Sequence, residues 1–488
     1  MLARIVQHSV YVKIELEPAE LLTQLVPGEP VLFAASHTGR FVDVTSILLH
    51  LLSKNWDGIQ IITWDGFVPD PELRKVLRML PLDNQFSRKG KSKEDIRRLV
   101  AKVRTQIDDI QSALLQGKWI IIFPSEICGT GRHENPWKTG ASQLAYETVA
   151  NSGKSMKVVL LGINYENYTV PALSQIQIRG EILTITPDID ENTIHRTMVE
   201  HEKNLMLWHL DYFPTFEEAT PFLTNNVEAE NAVLQQQKWN RLLRYSPFNM
   251  VLQRLQDDMI RGYIDTTKAR LHYQNIVEAA KTEMTELEDI LIALLGRGQS
   301  VYERAVQAHT ILDKQDPASF DTLLFDYRRL CEQAGIPVGG DNVSPGFKVA
   351  TLAPILLPLG VLVHGVGRIF LLLLPKSKIA SFYERENELQ FRAQNNFFRS
   401  TAGWSSLHLI LGTIGALSAI LIIRLALTEE LLIGLGLGVL TCLASVTSAV
   451  FAYKYGWMFK LMWLRLTKSK ILGKIRQCRA AIRAGMIE

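Results

Sequence analysis

A chain of 488 residues is too long for one ordinary hydrophobic core, so two or more structural units are expected. The formal net charge of +3 gives no global nucleic-acid signature, and no nucleic-acid partner is expected. Cys128, Cys331, Cys442 and Cys478 stand far apart, which argues against a disulfide framework, pairs no metal ligands and suits a reducing, cytosol-facing main domain.

Residues 1–29 open with a strand-like run and close on the turn Pro27-Gly-Glu-Pro30. Lys13, Glu15, Glu17 and Glu20 interrupt the only early apolar stretch, so it has no signal-peptide core. Membrane insertion, if it occurs, must come from the C-terminal third. The apolar run 30–35 reads as a short buried strand, and 44–52 as the start of a helix. Between them lies Ser36-His37-Thr-Gly-Arg40-Phe-Val-Asp43. A strand-to-helix turn can aim side chains into a cleft. A histidine oriented by a carboxylate can take a proton from a hydroxyl and leave an alkoxide-like nucleophile. The plainer alternative is a turn histidine beside an N-cap aspartate.

A second strand is expected at 59–64. A helix opening at Pro69-Asp-Pro-Glu should run to about Leu80, followed by the turn Leu80-Pro81-Leu82 and a basic stretch from Arg88 to Arg98. Helical periodicity covers 92–116 and ends at Gly117. Residues 118–123 and 158–163 read as buried strands. Between them runs Phe123-Pro124-Ser125-Glu126-Ile-Cys-Gly-Thr-Gly-Arg132, then Lys138-Thr-Gly140, where a helix begins near Thr139. Backbone amides at a glycine-rich turn and a helix N-terminus can hold phosphate, with Arg132 and Lys138 adding charge; the alternative is a solvated loop. Alternating strands and helices make 1–190 an α/β domain with a mixed, partly parallel sheet flanked by helices.

Residues 191–335 read as a helical extension without chemistry of its own, amphipathic at 284–295 and 319–334. Residues 336–348 form a linker. Segment 349–374 is apolar over a spanning length but broken by prolines and glycines, and carries His364 and Arg368. Residues 406–453 hold two apolar runs joined by Thr428-Glu429-Glu430, a transmembrane hairpin. The loop 375–405 and the tail 454–488 are basic, which puts both in the cytosol and favours a re-entrant or interface-lying 349–374 over a third crossing. The basic tail also suits anionic lipid headgroups. Gly434, Gly436 and Gly438 allow close helix packing within the hairpin or between copies in a homo-oligomer. The expectation is therefore an integral membrane protein with C-terminal membrane helices and its α/β domain facing the cytosol.

The two motif stretches together, in this order, resemble the glycerolipid acyltransferases. That family places a histidine and an aspartate after a first strand, then a Phe-Pro-Glu-Gly loop, then a lysine and glycine before a helix. The spacing His37-x-x-x-Phe41-Val42-Asp43 is similar to the fungal-type glycerol-3-phosphate/dihydroxyacetone-phosphate acyltransferases. Ser125 stands where the family has glutamate, with Glu126 next, and the following glycine is delayed to Gly129. The resemblance implies that His37 deprotonates the acceptor hydroxyl, which attacks an acyl-CoA thioester directly, and that Asp43 orients His37. It also implies that Arg40, Pro124, Ser125, Glu126, Arg132, Lys138 and Gly140 lie by the acceptor, with Arg88 or Arg78 as the phosphate-binding arginine. Gly162-Ile-Asn164-Tyr165, after the next strand, would line the acyl side. Acyl-CoA is a co-substrate, and no metal or bound cofactor is implied. The partners implied are acyl-CoA, glycerol-3-phosphate or a related phosphorylated acceptor, and membrane lipid. Lysophosphatidate acylation is the alternative within the class. A non-catalytic lipid-binding scaffold on the same fold is the alternative outside it. A transporter is disfavoured by the small apolar path.

Overall fold

The computed structural model describes residues 13–37, 43, 47, 51, 58–64, 78–82, 92–125, 132, 137–168, 175–206, 213–226, 232–244, 248–296, 298–314, 317–339, 461, 465 and 470–486. Seven strands form one sheet: β1 (Lys13–Glu17), β2 (Val31–Ala35), β3 (Ile59–Trp64), β4 (Met79–Leu82), β5 (Trp119–Ile122), β6 (Met156–Tyr165) and β7 (Gln175–Ile185). Their order is β1-β7-β6-β2-β5-β3-β4. All neighbouring pairs are parallel except β6 and β7. Every residue of β2, Val-Leu-Phe-Ala-Ala, is buried, as a central parallel strand covered on both faces requires.

Ten helices are described: α1 (Lys93–Leu115), α2 (Gly140–Ser152), α3 (Glu191–Leu205), α4 (Phe216–Leu223), α5 (Ala232–Arg244), α6 (Phe248–Ile260), α7 (Thr266–Leu295), α8 (Val301–Lys314), α9 (Pro317–Ala334) and α10 (Lys470–Gly485). Ser92 and Asp95 close a capping box at the start of α1, which satisfies amides that the first turn leaves unpaired. Ile110 and Leu114 of α1, Leu144 and Val149 of α2, and Ile194 and Met198 of α3 pack on one sheet face with Leu32, Ile120 and Val158. Helix α3 begins at the expected end of the α/β domain and folds back onto it. A β-carbon on Gly162 of β6 would stand 2.7 Å from the Leu205 carbonyl oxygen, so the close approach of α3 needs glycine there. The opposite face packs Phe33, Ile121, Leu161 and Ile163 against Leu21, Ile47 and Leu51. Helices α4–α10 share a separate core around Tyr273, Leu287, Leu291, Leu312, Leu324 and Tyr327.

Three expectations are corrected. The last residues of the helix foreseen to Leu80, and the turn at 80–82, give way to β4, which pairs with β3 from Ile61↔Met79 to Trp64↔Leu82, while 69–77 lie outside the described residues. The strand lies at the sheet edge, where Pro81 does not interrupt a ladder on its outer side. The start of the linker is packed, with Ile336 buried in the helical core and the Gly339 N–H donating to the Tyr327 hydroxyl at 3.1 Å. The third correction concerns the expected C-terminal membrane helices and integral membrane location: among the described residues no helix is long and apolar enough to cross a membrane. Segments 349–374, 375–405 and 406–453 lie outside the described residues. Within the tail, helix α10 buries Leu472, Ile475 and Ile482 against the helical core, so its apolar stripe faces protein.

Candidate active site

The chain leaves the carboxyl end of β2 towards β3 on one side of the sheet, and that of the adjacent β6 towards β7 on the other. The carboxyl ends of adjacent parallel strands whose chains diverge are where open α/β sheets commonly bind ligands. Ser36 fastens the two strand ends together. Its N–H donates to the Leu161 carbonyl, and its Oγ accepts from the Ile163 N–H, both at 2.9 Å.

His37 follows directly. Asp43, Ile47 and Leu51 are helical and four residues apart, so they share one helix face. Ile47 and Leu51 anchor that face in the core, and Asp43 is delivered at its amino-terminal end. His37 Nδ1 stands 3.0 Å from Asp43 Oδ2. Asp43 is fully buried, whereas the His37 side chain keeps 17% exposure. A carboxylate only accepts, so Nδ1 carries the proton and the lone pair falls on Nε2. Phe123, immediately after β5, stacks on the imidazole with centroids 4.4 Å apart and planes 30° apart. The two motif stretches, separated in sequence, therefore meet at the His37 ring.

The second stretch continues with buried Pro124 and Ser125. The Lys138 N–H donates to the Pro124 carbonyl at 3.0 Å, which brings the exposed Lys138 and the amino end of α2, at Gly140, beside the Phe-Pro turn. Ser125 Oγ is buried and has no hydrogen-bond partner among the described residues. Arg40, Arg88 and Glu126 lie outside the described residues.

Two expected substrate residues, Arg132 and Asn164, have structural partners. Arg132 is 3% exposed and held between the sheet and α7. Its guanidinium donates to the Tyr165 carbonyl at 2.8 Å and pairs with Asp289 at 2.5 Å and Glu288 at 3.3 Å. Its charge is thus matched by buried carboxylates. Asn164 is buried and donates through Nδ2 to the Leu205 carbonyl at 3.0 Å, which pins α3 to β6.

Tyr165, the last residue of β6, is fully buried, and its hydroxyl donates to Asp43 Oδ1. The family resemblance places it, with the rest of Gly162-Ile-Asn-Tyr165, on the acyl side and gives it no part in orienting Asp43. Alternation along β6 puts it on the face of Val159, Leu161 and Ile163. A tyrosine ending an apolar face needs a polar partner there, and that was the available signal. The partners of Arg132 carried no such signal, because Asp289 is 157 residues away.

No protein-family model matches this chain, and none of the curated proteins compared with it gives a significant match.

Proposed function

We propose that the chain is an acyl-CoA-dependent O-acyltransferase that moves a fatty acyl group to the hydroxyl of glycerol-3-phosphate or dihydroxyacetone phosphate. The observation that carries this reading is the His37–Asp43 pair at the carboxyl end of β2, with an oriented, partly exposed imidazole. His37 Nε2 takes the acceptor's hydroxyl proton while the oxygen attacks the thioester carbonyl. Asp43 stabilises the imidazolium that forms. The tetrahedral adduct collapses by breaking the carbon–sulfur bond. The imidazolium then returns its proton to the departing CoA thiolate, so no acyl-enzyme forms. Lys138 and the amides opening α2 are the described groups suited to the acceptor phosphate. Lysophosphatidate is the alternative acceptor.

A second reading is a non-catalytic lipid-binding scaffold. It is favoured by Ser125 at the family's glutamate position and by the engagement of Arg132 in buried ion pairs. The oriented His37–Asp43 pair weighs against it, since a scaffold needs neither group. The discriminating experiment gives purified chain palmitoyl-CoA with radiolabelled glycerol-3-phosphate, dihydroxyacetone phosphate or lysophosphatidate, beside His37→Ala and Asp43→Asn. Wild type should form acylated product, His37→Ala none, and Asp43→Asn on the order of 10²–10⁴-fold less. Absence of product with all three acceptors would move the assignment to the scaffold.

A further inference from the structure

We propose that Tyr165 is a positioning residue for the His37–Asp43 pair, held in place by the helical layer. The inference rests on the acyltransferase reading for its kinetic arm only. A carboxylate on a helix end can rotate about its last two torsions, and its two oxygens are then interchangeable. Here they are distinguished: Oδ1 accepts from the Tyr165 hydroxyl and Oδ2 from His37 Nδ1. The tyrosine therefore fixes the carboxylate plane in which the imidazole must lie. A second constraint on the ring, the Phe123 stack, fixes its tilt.

Tyr165 is in turn held from several directions. Its backbone carbonyl accepts from Arg132, which is ion-paired with Asp289 of α7. Its ring meets Tyr168 edge-on at 4.8 Å. Tyr168 is tied to the same carboxylate, its N–H donating to Asp289 Oδ2 at 2.9 Å, and Arg132 lies over its ring at 4.6 Å. Tyr168 also donates through its hydroxyl to the Ile163 carbonyl at 3.1 Å. The end of β6 that carries Tyr165 is thus fastened to α7 through Asp289, which acts on both Arg132 and Tyr168, with Glu288 as a second partner of Arg132. A hydroxyl held this way restrains Asp43 without touching substrate.

The test is Tyr165→Phe, which keeps the ring and its packing, with far-UV circular dichroism to confirm the fold. Acyl transfer from palmitoyl-CoA to glycerol-3-phosphate is measured for wild type, Tyr165→Phe, Asp43→Asn and the double variant. We expect kcat to fall about 10- to 100-fold in Tyr165→Phe with little change in either KM, the size of one hydrogen bond to a charged group. In the Asp43→Asn background the same change should cost nothing further, since Tyr165 acts through that carboxylate. Independently of activity, the protein labelled with ¹⁵N-histidine should show a shifted Nδ1–H resonance for His37, assigned by its loss in His37→Ala. Wild-type kcat together with an unmoved resonance in Tyr165→Phe would overturn the proposal, as would a loss that adds in full to that of Asp43→Asn. If wild type acylates none of the acceptors, the functional reading fails, and the resonance alone decides the role of Tyr165: shifted upholds it, unmoved rejects it.

Discussion

Arg132 and Lys138 are both cations flanking one glycine-rich loop, yet the fold separates them completely. Arg132 is buried on Glu288 and Asp289, and Lys138 is exposed beside Pro124. Removing one member of a buried ion pair strands the other, so Arg132→Ala should lower the unfolding free energy by roughly 3–5 kcal/mol. A urea titration followed by circular dichroism measures this. An unchanged midpoint combined with a raised acceptor KM would return Arg132 to the substrate site. The same contrast explains what could be read residue by residue. His37 and Asp43 are close in sequence, so they fall in one motif, and the second stretch at Phe123 is what favoured reading them as a working pair over a turn histidine beside an N-cap. The fate of Arg132 depended on carboxylates far along the chain, and a basic residue in a glycine-rich loop carries no mark of whether it will face ligand or protein. The Nδ2 partner of Asn164 was not legible for the same reason, because it is a backbone carbonyl at the end of another helix.

Elements with strong periodicity were legible, and those decided by pairing were not. The strand 59–64 and the helix α1 stand where their patterns put them. β4 has no alternation of its own and exists because β3 offers it an edge. Helix α7 illustrates a further point. Its amphipathic stretch was visible, but the carboxylates placed in its seams were not assigned any consequence. Burial pushes the Glu283 carboxyl of α7 up to about 7 from its ordinary 4.5, with Asp321 of α9 and neighbouring Glu286 adding to the rise. Between those two values the folded chain holds a proton that the unfolded chain has lost. The stabilising contribution is therefore complete below about pH 4.5 and disappears as pH rises through about 7. Glu283 is partly open to solvent, so the effect is discounted to about 1 kcal/mol. Glu283→Gln should flatten that part of the stability–pH curve and make the chain more stable than wild type at pH 8. Parallel curves for the two proteins from pH 4.5 to pH 8 would show that the α7–α9 seam does not hold this proton.

At the scale of the whole molecule, the sequence separated an α/β part from a helical part but gave no account of their seam, and assigned the helical part no chemistry. The seam is built from long-range polar contacts. Arg304 of α8 is fully buried. It donates to Glu166 Oε1 at 3.0 Å, to Gln175 Oε1 at 2.9 Å and to the Ile292 carbonyl at 3.2 Å. The Tyr302 N–H adds a bond to Gln177 of β7 at 2.8 Å. With Arg132 on α7, these contacts fasten the helical layer to the ends of β6 and β7 beside the candidate site. Non-local pairs of this kind are invisible to periodicity, because each partner looks like an ordinary surface charge in its own segment. Contacts of this kind are expected to make the two cores unfold as one cooperative unit. Arg304→Met preserves much of the side-chain volume but leaves buried Glu166 without its cation, at a cost of roughly 3–5 kcal/mol. That loss falls on the seam and not on either core, so cooperativity should break before either core does. Hydrogen exchange resolved by peptide tests this directly. In wild type, amides of β2 and β6 and those of α7 and α8 should open with one common free energy. In Arg304→Met, the helical amides should exchange through a separate, lower-energy opening while β2 retains most of its protection. A variant whose helical and sheet amides still open together, with wild-type protection, would show that apolar packing alone joins the two layers.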